Sequence, residues 1–235
     1  MKIGIIGAME KEIEALRTDM TEKTTRVISG MRFDEGKLCG RDVVLAVAGI
    51  GKVNAGICVQ VLVDRFGVSH VINTGVAGSL DDRLDVGDLV VSTDCVWHDF
   101  DVTPLGYRPG EIPGVGTINF PADEGLREAT LAAAAQVAPD IHAYAGRVVS
   151  GDQFIASAEQ KNRITEGFGG MCCEMEGTAI AQAAWLNEVP FVVVRAISDK
   201  PGAADQVVDY NTFEEKAAHD CARIVGHMAA GALMA

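Results

Sequence analysis

The 235-residue sequence lacks an excess of basic residues, because 20 Lys and Arg stand against 33 Asp and Glu and give a formal net charge of −13. Nucleic-acid and anionic membrane surfaces both require clustered positive charge, so this balance argues against either partner. The sequence also lacks an apolar run of the roughly 20 residues that a membrane-spanning helix needs. The amino terminus has neither the apolar segment nor the cleavage site of a secretory signal. We therefore expect a protein that binds neither nucleic acid nor membrane.

Sequence motifs for metals, dinucleotides and hydrolase triads are missing as well. The six cysteines form no C-x-x-C pair, and a chain of this size needs no disulfide framework, so we expect free thiols, a cytoplasmic location and no structural zinc. His98 stands beside Asp99 and Asp101, but no second cluster completes a metal site. GIIGAM (4–9) lacks the dinucleotide-binding glycine spacing, and Ser150 and Ser198 lack a G-x-S-x-G context. We expect no metal and no organic cofactor.

Short apolar runs alternate with helical periodicity along the chain. Lys2–Gly7 and Pro190–Ser198 have few polar positions, as expected of strands that are buried on both faces. Glu124–Val137 is typical of a helix, and a terminal helix is predicted over 212–233. There is no linker or repeat. The pattern predicts a single α/β domain over 1–235, whose central, twisted sheet is mixed but largely parallel and is flanked by helices. Extra β segments between 25 and 47 favour a sheet that is mixed or partly closed.

Candidate chemistry lies after the predicted strands, because ligands bind at the carboxyl ends of strands in α/β sheets. The segments at these ends consist of small or polar residues, which predicts that they form the floor of one shared pocket. They are Ala8–Glu12, Ala48–Lys52, Gly75–Gly78, Gly151–Phe154 and Ser198–Asp199.

Glu12 lies on an apolar helical stripe within the predicted helix Met9–Thr18, where the 3.6-residue period aligns it with Leu16. The same period places Glu10 and Arg17 on the outer faces. A carboxylate on such a stripe has two interpretations. Glu12 is either a buried functional acid or a solvated charge in the first turn of the helix.

Two further acids share this ambiguity. Glu176 begins another apolar stripe, where it either functions or satisfies backbone N–H groups at the start of the helix. Its neighbour Glu174 points elsewhere on a helix and need not share its role. Asp199 closes the most apolar strand, either as a turn residue or as a carboxyl group whose raised pKa lets it donate a proton near neutral pH.

Six ordered segments resemble the 5′-methylthioadenosine/S-adenosylhomocysteine nucleosidases of the nucleoside phosphorylase superfamily. They are AGIGKVNA (48–55), INTGVAGSL (72–80), VGDLVVS (86–92), VSGDQFI (149–155), CEMEGTAIA (173–181) and PFVVVRAISD (190–199). The resemblance begins at KIGIIGAMEKEIEAL (2–16) and covers nearly the whole chain. It implies a nucleoside phosphorylase-like fold and hydrolysis of the N-glycosidic bond of 5′-methylthioadenosine, S-adenosylhomocysteine and 5′-deoxyadenosine. The released adenine and thioribose would enter methionine salvage and the recycling of S-adenosylmethionine by-products.

The resemblance also implies roles for individual residues. Glu12 would activate the attacking water, Asp199 would protonate N7 of adenine with Ser198 orienting it, and Glu176 would bind the ribose hydroxyls. Phe154 would stack on adenine, and its backbone and that of Ile155 would bind the adenine edge. The other expected substrate contacts are Met9, Ile50, Val76, Gly78, Glu174, Met175 and Phe213, with Tyr210 adding aromatic cover. The 98–120 loop of a partner subunit would cover the 5′-thio group through Val102, Leu105 and Pro113, which implies a homodimer.

Three departures from the family pattern put substrate preference in question. Val76 replaces a common Ser, Leu105 replaces a frequent aromatic residue, and 205–209 differs from the usual stretch. Three alternatives are a phosphorylase, a futalosine-type nucleosidase and a non-catalytic nucleoside-binding domain. A phosphorylase needs basic groups for phosphate, and a phosphate dianion would be repelled by Glu12.

Overall fold

The computed structural model of the protein describes residues 1–231, which form one ten-stranded sheet with helices on both faces. The strands are β1 Lys2–Gly7, β2 Thr21–Ile28, β3 Met31–Leu38, β4 Arg41–Val47, β5 His70–Ser79, β6 Leu89–Trp97, β7 Asn119–Pro121, β8 Ala143–Ser150, β9 Cys172–Glu174 and β10 Phe191–Asp199. The helices are α1 Glu14–Asp19, α2 Lys52–Phe66, α3 Glu124–Val137, α4 Ala158–Phe168, α5 Gly177–Leu186 and α6 Gln206–Gly231. Single 3-10 turns cover Glu10–Glu12 and Thr103–Leu105.

Strand β10 shows why the central strands are mostly apolar, because all nine of its residues are buried. Val193 and Ile197 belong to the core that contains α2 and α5, whereas Val192 and Val194 belong to the core on the other face with α3 and α6. Because helices cover both faces of the sheet, neither face of the strand meets solvent. Its sequence therefore does not alternate between apolar and polar residues. The expected α/β architecture is confirmed.

Five strands close into a ring. Strand β10 pairs with β5 and β6, and β9 pairs with β5 and β8, while β8 also pairs with β6. Strands β1, β4, β3 and β2 extend from β5, and β7 adds to β6. The sheet is mixed, as expected, and it is evenly so rather than largely parallel: five pairings are parallel and five antiparallel.

Tight turns explain much of this antiparallel content. The β2–β3 turn at Ser29–Gly30 and the β3–β4 turn at Cys39–Gly40 each place both residues at positive φ. Such two-residue turns match the twist of adjacent strands and force antiparallel pairing. Strand β9 has only three residues and pairs by closing the ring, so no local pattern predicts it.

Two predicted helices differ in detail. The helix expected over Met9–Thr18 is divided at Ile13 into a 3-10 turn and α1. The prediction of an outward-facing Arg17 is wrong, because a 3-10 turn has fewer residues per turn and rotates the faces that follow it; Arg17 is buried and donates to Asp34 Oδ2 at 2.6 Å. Helix α6 begins earlier than expected, at Gln206, and its predicted end at Leu233 lies outside the described residues. Within residues 1–231, no helix is both long and apolar enough to cross a bilayer.

Candidate active site

A cavity of about 100 Å³ lies where β1, β5 and β10 end and where β9 leads into α5. Besides Tyr210, the structure brings together twelve of the residues that the sequence and the resemblance single out. They are Met9, Glu12, Ile50, Val76, Gly78, Phe154, Ile155, Glu174, Met175, Glu176, Ser198 and Asp199. Glu12, Glu176 and Asp199 are each more than nine-tenths buried, so Glu12 is not the solvated charge of its alternative interpretation.

Four expected contact residues lie outside the cavity lining among the described residues. Val102, Leu105 and Pro113 belong to the segment between β6 and β7, and their contact with a partner's cavity stays a prediction. Phe213 is half-exposed on α6, whereas Tyr210, one turn earlier, lines the cavity. The Tyr210 ring meets that of Phe154 edge to face, with centroids 5.6 Å apart. Of the two aromatic side chains on the described part of α6, Tyr210 is therefore the one that borders the cavity.

Glu12 ends the 3-10 turn after β1, and backbone groups fix its carboxylate. Its Oε2 accepts a hydrogen bond of 2.9 Å from the backbone N–H of Met9. On the other side, a Cβ added to Gly75 would lie 2.6 Å from Glu12 Oε1, so only glycine leaves room for this carboxylate. Burial raises the pKa of Glu12, while the Arg195 guanidinium opposes the rise. A carboxylate with increased proton affinity is suited to take a proton from water.

Asp199 ends β10 after a bulge that follows Ile197. Its Oδ1 accepts from the Ser198 hydroxyl at 2.7 Å, and its Oδ2 accepts from Gln206 Nε2 at 2.8 Å. Burial raises the pKa of Asp199, while these two hydrogen bonds oppose the rise. A carboxyl group in this environment holds its proton at higher pH than an ordinary aspartate, which suits a general acid.

Glu176 faces the cavity from the start of α5. Its Oε1 accepts a hydrogen bond of 2.7 Å from the backbone N–H of Gly51. Burial raises the pKa of Glu176, and the negative charge of Glu174 raises it further. The Glu176 carboxyl group can therefore form hydrogen bonds with hydroxyls whether it is protonated or ionised.

Glu174 has a different role, because protein groups already surround its carboxylate. Its Oε2 accepts from Arg195 Nη2 at 2.5 Å and from the backbone N–H groups of Gly177 at 2.7 Å and Glu176 at 3.0 Å, and its Oε1 accepts from the Ser150 hydroxyl. Although burial favours the neutral form, Arg195 and these donors hold the pKa of Glu174 below its ordinary value. This environment favours the Glu174 anion, which fixes the start of α5 through the N–H groups of Glu176 and Gly177.

Sequence reasoning missed Arg195. This arginine lies within β10, is fully buried, and donates to Glu174 and to Asn73 Oδ1. Its positive charge also acts on Glu12 and Glu176. The run VVVRAIS (192–198) contains a signal for this residue, because an arginine inside a buried strand requires an acidic partner nearby.

The arrangement supports acid–base chemistry on a neutral, partly planar ligand. Glu12 borders the cavity from the 3-10 turn after β1 and Asp199 from the end of β10, with Phe154 and Ile155 beside it. No Lys or Arg belongs to the described residues that line it. A phosphate dianion would meet carboxylates without a cationic partner. The chemistry of the site therefore favours water over phosphate as the nucleophile.

Comparison with known proteins agrees with this geometry. The family model described as "Phosphorylase superfamily" matches residues 2–230. Over 217 residues the chain is 42% identical to a 5′-methylthioadenosine/S-adenosylhomocysteine nucleosidase of Staphylococcus aureus (strain bovine RF122), a match that covers 92% of this chain and 93% of that protein.

Solved structures give the same result. The nucleosidase of this type from Colwellia psychrerythraea, in complex with adenine, superposes with a TM-score of 0.93 at 38% identity and covers 97% of this chain and 94% of that chain. The one from Neisseria meningitidis, in complex with methylthio-immucillin-A, gives a TM-score of 0.93 at 37% identity and covers 97% and 98%. A futalosine hydrolase of Helicobacter pylori superposes with a TM-score of 0.91 at 31% identity, and the match covers 97% of each chain.

Proposed function

The chain belongs to the 5′-methylthioadenosine/S-adenosylhomocysteine nucleosidases of the phosphorylase superfamily, and we propose that it hydrolyses the N-glycosidic bond of these two nucleosides to release adenine and a thioribose. The observation that carries the proposal is one cavity bordered by Glu12, Glu176 and Asp199, with no basic side chain in its described lining. A 5′-deoxyadenosine substrate presents the same adenine and ribose groups.

The carboxyl groups divide the reaction between them. Asp199 gives its proton to N7 of adenine, and the C1′–N9 electron pair leaves with the base, so adenine departs as a neutral molecule. The oxygen of a water molecule bonds to the cationic C1′ and loses a proton to Glu12. Each general acid or base step of this kind contributes about 10²–10⁴ in rate. Glu176 binds the ribose hydroxyls and places negative charge near the cationic sugar, where it is worth more in the transition state.

The three alternative functions, a phosphorylase, a futalosine-type nucleosidase and a non-catalytic binding domain, receive less support than the nucleosidase. Phosphorolysis would require a phosphate among carboxylates that have no basic partner in the lining. The futalosine hydrolase shares the fold at lower identity than the nucleosidase from Staphylococcus aureus, and a shared fold does not assign a substrate. A non-catalytic binding domain would have no need for two buried carboxyl groups whose pKa values are raised.

We also propose a homodimer in which the 98–120 loop of each subunit completes the other's cavity. Val53 and Ile57 extend an exposed apolar surface along α2 from Ile50 at the cavity mouth, and Leu105 is 73% exposed. Apolar surface of this kind beside a site is typical of an interface. The chain 1–235 would act as a single domain, in the cytoplasm, where its free cysteines stay reduced.

Adenine release from 5′-methylthioadenosine, followed by chromatography, tests the reaction. We expect adenine and free methylthioribose in phosphate-free buffer, with amounts that added phosphate leaves unchanged. Formation of methylthioribose 1-phosphate only when phosphate is present would identify a phosphorylase. No release in either buffer would contradict the proposed activity on this nucleoside.

A further inference from the structure

Gln206 is an unusual first residue for a helix, because it is only 3% exposed while both of its neighbours in the chain are exposed. Its carboxamide is fully used. Oε1 accepts from the backbone N–H of Gly202 at 3.0 Å, and Nε2 donates to Asp199 Oδ2 at 2.8 Å and to the Ile155 carbonyl at 2.7 Å. The side chain thus joins the turn before α6, the end of β10 and the segment before α4.

The position of Gln206 relative to the cavity is informative. Both acceptors of its amide, Asp199 and Ile155, line the cavity, whereas Gln206 is absent from the described lining. The carboxamide therefore holds the two groups from behind and leaves their inner sides free. Because one nitrogen atom binds both oxygens, the Asp199 carboxyl and the Ile155 carbonyl keep a fixed separation.

Helix α6, which carries Gln206, is also held on the side of the cavity where Glu12 lies. Tyr210 Oη donates to Glu214 Oε1 at 2.5 Å, and Lys11, beside Glu12, forms an ion pair with Glu214. These contacts connect the first turns of α6 to the 3-10 turn that carries Glu12. Gln206 is held in place from both directions and can act as a rigid support.

The chemistry of a purine edge gives this support a purpose. In adenine, N7 and the 6-amino group are adjacent on one edge of the ring. A carboxyl group at N7 therefore places its second oxygen beside the 6-amino group, and a carbonyl on the other side completes two acceptors for the two amino hydrogens. A 6-oxo purine has an acceptor oxygen in place of the amino group. The lone pairs of that oxygen would face those of the carboxyl and carbonyl oxygens, so no hydrogen bond would form there.

Resting on the proposed nucleosidase function, we propose that Gln206 is a positioning residue that sets the preference for 6-amino over 6-oxo purines, by holding the Asp199 carboxyl and the Ile155 carbonyl at the spacing that an adenine edge requires. Gln206 does not line the cavity, and it acts on the substrate only through Asp199 and Ile155, to which it donates. The sequence signal was weak, because Gln206 falls in the 205–209 stretch that departs from the family pattern.

Binding of the free bases tests this role without requiring turnover. Calorimetry would give the dissociation constants of adenine and hypoxanthine for the wild type, Gln206→Ala and Gln206→Glu. The matched control is Gln136→Ala, since Gln136 also contacts α6, through His227, but far from the cavity. We expect the preference for adenine to fall at least tenfold in both Gln206 variants and to stay unchanged in the control.

The pH dependence of kcat gives a second readout that a merely structural role would not move. The groups that act on Asp199 are Ser198, Gln206 and Asp209, and Tyr210 and Cys173 lie close enough to sense its charge. Loss of the Gln206 donor disfavours the Asp199 anion, so the pKa of Asp199 rises and the loss of activity at high pH moves to higher pH. We expect this shift in Gln206→Ala and a larger one in Gln206→Glu, which adds negative charge.

The outcomes separate the two proposals. Unchanged base preference and an unchanged pH profile in variants that fold, as judged by circular dichroism, would overturn the role of Gln206 even if thermal stability falls. A wild type that prefers adenine but releases none from nucleosides would overturn the proposed function alone, with the preference still tested by the variants. A wild type that binds neither base would overturn both.

Discussion

Burial gives Glu12 and Asp199 proton affinities that exposed carboxyl groups do not have. Both residues are almost fully removed from water, and burial is the largest cause of the rise in each pKa. Their partners differ in a way that suits their roles. Glu12 accepts from a backbone N–H and lies near the Arg195 charge, both of which favour its ionised form, whereas Asp199 has only neutral donors.

The base is tested by Glu12→Gln, which keeps the shape of the side chain and removes the ionisable group. We expect kcat for adenine release to fall by about 10²–10⁴, because the amide does not accept the proton of water. Glu14→Gln is the matched control, since Glu14 is an exposed acid on α1, and it should retain wild-type kcat. Steady-state kinetics on 5′-methylthioadenosine gives both values. An active Glu12→Gln enzyme would assign the base elsewhere.

At this scale the sequence is informative where one residue breaks a local pattern. Glu12 and Glu176 interrupt apolar stripes, and Asp199 ends an apolar strand, so periodicity alone marks all three as candidates. It does not decide between burial and solvation, because that depends on Gly75 and on elements distant in the chain. The hydrogen bond between Gln206 and Asp199 could not be predicted, because it depends on where α6 begins.

At the scale of the elements, β10 combines structural and chemical functions. Its alternating side chains join the cores on the two faces of the sheet, and its end carries the acid. Between these, Arg195 neutralises Glu174 at the point where β9 leads into α5. The buried pair therefore fixes the approach of Glu176 to the cavity.

Removal of one partner of this pair tests its structural role. We expect Arg195→Met to lower the free energy of unfolding by about 3–5 kcal/mol, because Glu174 would be left as an uncompensated buried charge. Urea denaturation measures the change. Arg83→Met serves as the control, since Arg83 pairs with Asp81 at the surface, and its midpoint should match the wild type. Equal midpoints for both variants would show that the buried pair does not stabilise the fold.

The elements differ in how far local sequence predicts them. Lys2–Gly7 and Glu124–Val137 occur with the predicted bounds, because each has a clear period and clear breaks. The 3-10 turn at Glu10–Glu12 and the three-residue β9 do not follow local propensity. Tertiary packing determines both, and both carry residues of the site.

At the scale of the whole molecule, closure of the sheet is what gathers the site. Because β5, β10, β6, β8 and β9 form a ring, the ends of β5, β9 and β10 lie around one cavity, and β1 adds Glu12 from the neighbouring position. The sequence predicts convergence at the strand ends and a mixed sheet. The closed ring depends on pairings between distant segments, which no periodicity in a single chain specifies.

The homodimer is tested by sedimentation together with activity. We expect the wild type to sediment as a dimer. Val53→Glu should weaken the dimer and lower adenine release in parallel, because each cavity would lose the partner's 98–120 loop. Val27→Glu is the control, since Val27 is equally exposed, at 70% against 73% for Val53, but lies on the outermost strand β2. A fully active monomer would contradict the shared cavity.

The Asp199→Asn variant tests whether the buried Asp199 carboxyl supplies the proton that lets adenine leave. Adenine release and nucleoside binding should be measured on the same preparation, with thermal melting as the check on folding. We expect kcat to fall by about 10²–10⁴ while binding of 5′-methylthioadenosine remains measurable, because the amide has no carboxyl proton to donate. Turnover near the wild-type rate in the folded variant would contradict this role of Asp199.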